Sequence, residues 1–206
     1  MFTLILYAVL VLCANAQQCL KDVQKVVVME EGMTSNKGFH DFGIIDDDIP
    51  MAPKYDLIVS LGSQKLPIGL IFSPALTFGV KPIIACEEVE KGQNYTVMML
   101  DVDWPSSKNK SQGAYINAII VNSPSDNLNK GDIVVAYTPT VPKLNSGLHR
   151  YVGLLYKQSR YIDADATELL HLARKKEGFS AKQFADQYGL DDPLAGSLFF
   201  AEITEC

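Results

Sequence analysis

The sequence predicts a mainly β domain with a few peripheral helices. Short β-rich runs recur along the chain, each bounded by Gly, Pro, Asn or Ser. Helical spacing shows near the start and in two late segments only. No repeat, linker or low-complexity tract divides the 206 residues, so one domain is expected. Many strands followed by few helices favour a sheet-based core with helices at its periphery.

The elements follow in order. Residues 1–16 read as a secretory signal: Phe2 to Leu12 is apolar, and Ala14-Asn15-Ala16 is a small-x-small cleavage site before Gln17. The apolar run is shorter than the roughly 20 residues a membrane-spanning helix needs. No later stretch is long and apolar enough to span, so a secreted, extracellular domain over residues 17–206 is expected. Leu20, Val23, Val26 and Val27 stand at helical spacing over residues 20–30. Asp46-Asp47-Asp48-Ile49-Pro50 punctuates the chain. Tyr55 to Ser60 reads as a strand, and Ile68 to Lys81 carries the turn residues Gly69, Pro74 and Gly79. Further strands are read at Tyr95 to Asp101, Tyr115 to Val121, Asp132 to Tyr137, Leu148 to Tyr156 and Leu198 to Ile203. Asp165 to Lys176 has Leu169, Leu170 and Leu172 on one side and a basic end before Gly178. Ser180 caps a second helix, Ala181 to Tyr188, which Gly189 ends.

Charge and cysteine content exclude some functions. A net charge of −6 argues against general nucleic-acid binding and against adhesion to anionic membrane by charge alone. Cys13 leaves with the leader, so Cys19, Cys86 and Cys206 remain. An oxidising compartment favours one disulfide and one leftover thiol, with three pairings open. The absence of any C-x-x-C gives redox and zinc chemistry little support. Asn94-Tyr95-Thr96 and Asn109-Lys110-Ser111 are glycosylation sequons, and Asn109, in a polar loop, is the better placed.

Two segments carry the chemistry: Leu100-Asp101-Val102-Asp103-Trp104-Pro105-Ser106-Ser107 and Ser146-Gly147-Leu148-His149-Arg150-Tyr151. Asp101 and Asp103 stand at i and i+2 at a strand end, a spacing that turns both carboxylates to one face. Like charges held close raise one carboxyl's pKa, and a protonated carboxyl can donate to an oxyanion. Pro105 has no N–H and takes the chain out of the ladder. The His149 imidazole can donate to a phosphate. Arg150 alternates to the opposite side and is expected to pair with an Asp. Each feature alone also fits an ordinary turn or a structural histidine; their joint presence points to a site.

Together the segments resemble the D-x-D-x-P-S and G-x-H-R-Y segments of the phosphatidylethanolamine-binding protein family, which includes the Raf kinase inhibitor proteins. The resemblance runs roughly from Asp41 to Glu202. It implies a large central antiparallel sheet, a smaller flanking sheet, and one small anion pocket where the two segments meet. It implies ligand-binding roles for Asp101, Asp103, Pro105, His149 and Tyr151, with Gly147 and Arg150 supporting the site, and Trp104 beside them is expected to narrow the entrance or stack on a head group. Pro139 and Pro142 resemble the family's rim loop, and Phe199 aligns with an aromatic that closes the pocket, there often Tyr. Family members commonly place a His in the strand after the first segment, where this chain has Asn117, which can donate but carries no charge. Trp104 replaces a usually small residue.

The expected function is therefore a secreted binding protein, not an enzyme, with a pocket for a phospholipid head group or other small anion. It would need no cofactor and could modulate a protein partner. An extracellular serine protease inhibitor on the same fold, or a carrier of small hydrophobic ligands, are the alternatives. A metal-dependent hydrolase built on Asp101, Asp103 and His149 is a further class, but no nucleophile motif, H-x-x-H or H-E-x-x-H supports it.

Overall fold

The computed structural model describes residues 27–28, 32–46, 48–72, 74–77 and 79–203. The expected secretory signal, Cys13, Cys19 and Cys206 lie outside the described residues. Eleven strands and three helices are formed among those described: β1 (Val27–Val28), α1 (Ser35–Asp41), β2 (Tyr55–Asp56), β3 (Ile58–Leu61), β4 (Gln64–Lys65), β5 (Leu70–Phe72), β6 (Pro82–Ala85), β7 (Asn94–Asp101), β8 (Tyr115–Pro124), β9 (Asp132–Val135), β10 (His149–Lys157), α2 (Thr167–Arg174), α3 (Ala181–Tyr188) and β11 (Ala195–Ala201).

Eight strands form one sheet, in the order β1-β5-β11-β10-β7-β8-β9 with β2 also on β11. The β11-β10-β7-β8-β9 half is antiparallel, as expected. The sheet as a whole is mixed, because β2 and β5 run parallel to β11. The smaller sheet, β4-β3-β6, is antiparallel.

The predicted strand Tyr55 to Ser60 is two strands. Leu57 N–H donates to Gly196 O of the large sheet, and from Ile58 onward the chain pairs in the small one. The expected helix over residues 20–30 fails where it is described: Val27 and Val28 pair with Ile71 and Leu70 as β1. Both late helices form, and α3 has the caps its sequence announces. Ser180 Oγ accepts from Gln183 N–H, and Gly189 takes the left-handed conformation at φ +64°. Helix α1 was not anticipated; Thr34 caps it.

Apolar side chains fill both faces of the large sheet. On one face Met98, Leu100, Ile119, Leu154 and Leu198 pack with Phe39 of α1, Leu169 of α2 and Phe184 of α3. On the other face Val97, Met99, Tyr151, Leu155 and Phe199 meet Val59 and Ile84 of the small sheet. Strand β7 is buried along nearly its whole length, which is why its sequence is an apolar run instead of an alternation. The polar residues that interrupt this core at the ends of β7, β8 and β10 mark the candidate site.

Candidate functional site

One register row crosses the sheet at its polar end: Tyr115 of β8, Asp101 of β7, Tyr151 of β10 and Phe199 of β11 are successive partners. Beside this row opens a cavity of about 240 Å³, lined by Asp101, Trp104, Tyr115, Asn117, Thr138, Pro139, Val141 and Tyr151. The structure thus gathers Asp101, Trp104, Asn117, Tyr151 and Pro139 around one space. Phe199 lies behind it, stacked on Tyr151 at 5.8 Å between ring centroids. Pro105, joined to Trp104 by a cis peptide, and the buried Pro142 flank the cavity without lining it.

Asp103 and His149 do not reach the cavity, and the reasons differ. Strand β7 ends at Asp101, so the i, i+2 alternation stops there. Asp103 swings to Arg150, whose Nε donates to Oδ2 at 2.8 Å and Nη2 to Oδ1 at 2.7 Å. Arg150 N–H also donates to Asp103 Oδ2, and Lys110 Nζ lies 3.0 Å from Oδ1. The two carboxylates therefore take different partners. Burial alone would raise the Asp103 carboxyl, but the hydrogen bonds and charge of Arg150, with Lys110, hold it below the ordinary carboxylate range. Arg150 Nη1 donates onward to the carbonyls of Phe42 and Gly43 after α1. Its side chain thus ties β10, the β7–β8 loop and α1 together.

His149 is fully buried, and both of its ring nitrogens are engaged within the protein. Nδ1 lies 2.8 Å from Asp101 Oδ2, and Nε2 lies 2.9 Å from Ser146 Oγ. The other Asp101 oxygen accepts from Asp103 N–H at 2.9 Å. His149 thus fixes the Asp101 carboxylate from behind instead of presenting a donor to a ligand. Ser146, His149 and Asp101 have the connectivity of a nucleophile relay, but Ser146 Oγ also donates to Lys143 O. Attack would require that hydroxyl proton to pass to His149. Among the described residues no group of three or more His, Cys, Asp or Glu side chains could hold a metal ion. Gly147 has φ +91°, and a Cβ there would stand 2.2 Å from Ser107 Oγ. The close approach of the two motif segments requires glycine.

Three buried polar atoms of the cavity residues have no hydrogen-bond partner in the protein: Trp104 Nε1, Asn117 Oδ1 and Tyr151 OH. Asn117 Nδ2 donates to Thr138 O at 3.1 Å. A carbonyl can only accept, so this bond fixes the amide with its oxygen as the free group. Burial, and then the Asp101 charge, push the Tyr151 hydroxyl far above the usual tyrosine range, so it remains a donor. Positive charge sits around the cavity. Lys143 Nζ lies 4.6 Å from the Trp104 ring centroid, and Lys176 Nζ donates to Thr138 Oγ1.

Sequence reasoning missed Tyr115, Thr138 and Val141 in the lining, and Ser146 behind His149. Tyr115 stands two residues before Asn117 on one strand, a signal that was available. Thr138 and Val141 lie inside the quoted Pro139–Pro142 loop. Lys176 comes from beyond α2, and no local signal marks it. Asn94 is partly buried at the start of β7, whereas Asn109 is exposed in its turn. Cys86 is a free, buried thiol whose pKa burial pushes up to about 11.

A family model described as phosphatidylethanolamine-binding protein matches residues 63–200. A 26 kDa secreted antigen of Toxocara canis is 34% identical over 113 residues, which span 54% of this chain and 43% of the antigen. A Drosophila melanogaster protein provisionally named odorant-binding protein A5 is 29% identical over 149 residues, 71% of this chain and 67% of that protein. The chain thus spans less than half the length of the first of these relatives. Among solved structures, a carboxypeptidase Y inhibitor complexed with its cognate proteinase superposes with a TM-score of 0.66 at 20% identity, covering 82% of this chain and 95% of that one. A phosphatidylethanolamine-binding protein from Plasmodium vivax gives 0.63 at 17% identity, over 84% and 99%. These structural likenesses establish the fold.

Proposed function

Because the chain belongs to the phosphatidylethanolamine-binding protein family, we propose that it is an extracellular binding protein that holds a phospholipid-type head group in the Asp101–Asn117–Tyr151 cavity. The observation that carries this reading is the trio of unpaired buried atoms in that cavity. A buried polar atom left without a partner costs roughly 1–3 kcal/mol, and a ligand with complementary groups relieves that cost.

The trio also selects the ligand. Trp104 Nε1 and Tyr151 OH are donors, but Asn117 Oδ1 is an acceptor and the Asp101 carboxylate stands beside it. A bare anion satisfies the donors and opposes the acceptors. A zwitterion satisfies both, with its ammonium toward Asn117 Oδ1 and Asp101 and its phosphate toward Lys143 and Lys176. These groups support a zwitterionic head group over a bare anion.

The signal-like sequence of residues 1–16 and the secreted antigen among the relatives support action outside the cell. The protease-inhibitor alternative rests on likeness of fold and on no residue of this cavity. Titration of the secreted, purified protein followed by NMR tests the reading. Phosphoethanolamine is expected to give saturable shifts at the Asn117 side-chain amide and at Tyr151. Inorganic phosphate should bind about tenfold more weakly. No saturable shift with either ligand overturns the proposal.

A further inference from the structure

A second cavity, of about 270 Å³, lies between the two sheets, and its chemistry is the reverse of the first. Ile84 of β6 forms one wall. Val97 and Met99 of β7, Ala118 of β8 and Val135 of β9 form the other. Each of these five side chains is buried. Ala118 is small among large neighbours, and its missing carbons leave much of the space. The β7–β8 ladder slips register between Met99 and Leu100, and the β8–β9 ladder slips between Ile119 and Ile120. Such irregularities twist the strands locally and keep them from closing on the facing sheet.

The amide at this cavity is already used. Asn129 donates from Nδ2 to Ile84 O at 2.9 Å and accepts Ile84 N–H on Oδ1 at 2.9 Å, so its amide is spent as a clamp on β6. None of the unpartnered buried side-chain atoms of the described residues belongs to this lining. At the mouth, Ile83 is 52% and Ile133 59% exposed, and Lys81 supplies the one charge of the described lining.

We infer that this inter-sheet chamber is a binding site for a small, neutral, apolar molecule. Water needs two to four polar partners to settle in a cavity, and this lining offers few. A peptide would bury backbone N–H and C=O groups against walls that cannot pair them. An uncharged hydrocarbon or aromatic ligand meets no such penalty. An apolar cavity of about 150 Å³ accepts benzene, so this chamber has room for a larger ring system. Hydrogen-bonded strands on both walls, one clamped by Asn129, prevent the space from collapsing. The inference does not depend on the head-group reading, because the two cavities share no lining residue.

The neutral fluorophore N-phenyl-1-naphthylamine, titrated into the secreted protein, tests the site. Saturable, blue-shifted emission is expected. Ala118→Leu, which puts three more carbons into the chamber, should weaken probe binding about tenfold or more. Methyl NMR of the wild-type protein should place probe-induced shifts at Val97, Met99 and Val135, and saturating phosphoethanolamine should leave them in place. This localisation decides the matter even where Ala118→Leu fails to fold. Absence of saturable binding, probe affinity unchanged in a folded Ala118→Leu protein, or methyl shifts located elsewhere each overturns the inference.

Discussion

Two cavities open from one face of one sheet, and adjacent residues divide between them. On β7, Met99 faces the apolar chamber and Asp101 the polar one; on β8 the division falls between Ala118 and Asn117, and after β9 between Tyr137 and Thr138. The strands are common to both, so the difference is set by the side chains they carry and by where their ladders slip register. The polar cavity keeps three unpaired buried atoms and carries cations around it. The apolar chamber has its one lining amide doubly bonded to a strand. The comparison teaches that a space lined with unsatisfied donors and acceptors is organised for a ligand with matching polarity. A space with none is organised for a ligand without polarity.

Removing Arg150 should break the comparison most severely, because Arg150 holds the polar end of the molecule together. Arg150→Met would leave the buried Asp103 charge without its bidentate partner and free the Phe42 and Gly43 carbonyls. Loss of one partner of a buried pair costs about 3–5 kcal/mol. The sign of the pH dependence follows from the direction of the Asp103 shift. A carboxyl held below its unfolded value, about 3.9, stabilises the protein above that pH and loses its contribution as pH falls through the native value. The stability gap between wild type and Arg150→Met should therefore be widest near neutrality and narrow below about pH 4. Denaturant melts across pH measure it, and a gap that stays constant with pH removes Asp103 from the account. The apolar chamber should retain its probe in any Arg150→Met protein that stays folded.

The polar cavity was legible in the sequence to the degree that its residues are polar where a strand should be apolar. Asp101 could be named because it ends a β-rich run as half of an Asp-x-Asp pair, whereas Asn117 and Tyr151 were named through the family resemblance, Asn117 by its place in the strand after the first segment. Asp103 was misplaced because the alternation rule was carried two residues beyond the last strand residue. His149 was given to the ligand because its partner Ser146 sits in a turn, where sequence spacing does not fix direction. The apolar chamber had no signature, since it consists of an alanine among larger residues and of register slips that no local pattern records. In the fold, the antiparallel strands and the capped α3 were readable from periodicity and turn residues. The parallel pairing of β5 and β2 with β11 joins residues more than a hundred positions apart. Helix α1 has seven residues with Gly38 inside it; a Cβ at Gly38 would stand 3.2 Å from Leu198, so that position answers to packing instead of propensity.

Asn117→His sharpens the contrast by giving the polar cavity a group that can carry positive charge. The wild-type amide presents an acceptor to the ligand. A protonated imidazole presents a donor, and hydrogen bonds to charged groups are roughly twice as strong as neutral ones. Inorganic phosphate affinity should rise about tenfold as pH falls below the ordinary imidazole value of about 6.5, while the wild type shows no such rise. Phosphate titrations of the two proteins at two pH values read this directly. A mutant-to-wild-type affinity ratio that is the same at both pH values would mean that position 117 does not meet the ligand.

The smallest effect on stability, and the most discriminating one, belongs to Tyr151→Phe. Tyr151 is buried, packed between His149 and Phe199, and its ring contacts survive the change. The hydroxyl that is lost makes no hydrogen bond of ordinary geometry in the protein, though the Asp101 carboxylate stands close enough to accept weakly from it. Removing an unsatisfied buried group is nearly neutral, so the melting temperature should hold or rise slightly, by less than about 1 kcal/mol of stability. Head-group affinity should fall by about 0.5–1.5 kcal/mol, the worth of one hydrogen bond. Thermal melts and phosphoethanolamine titrations on the same preparation separate the two quantities. A structural hydroxyl predicts lost stability with unchanged affinity. A hydroxyl kept for a ligand predicts the reverse, because the protein then carries the group at its own expense until the ligand arrives.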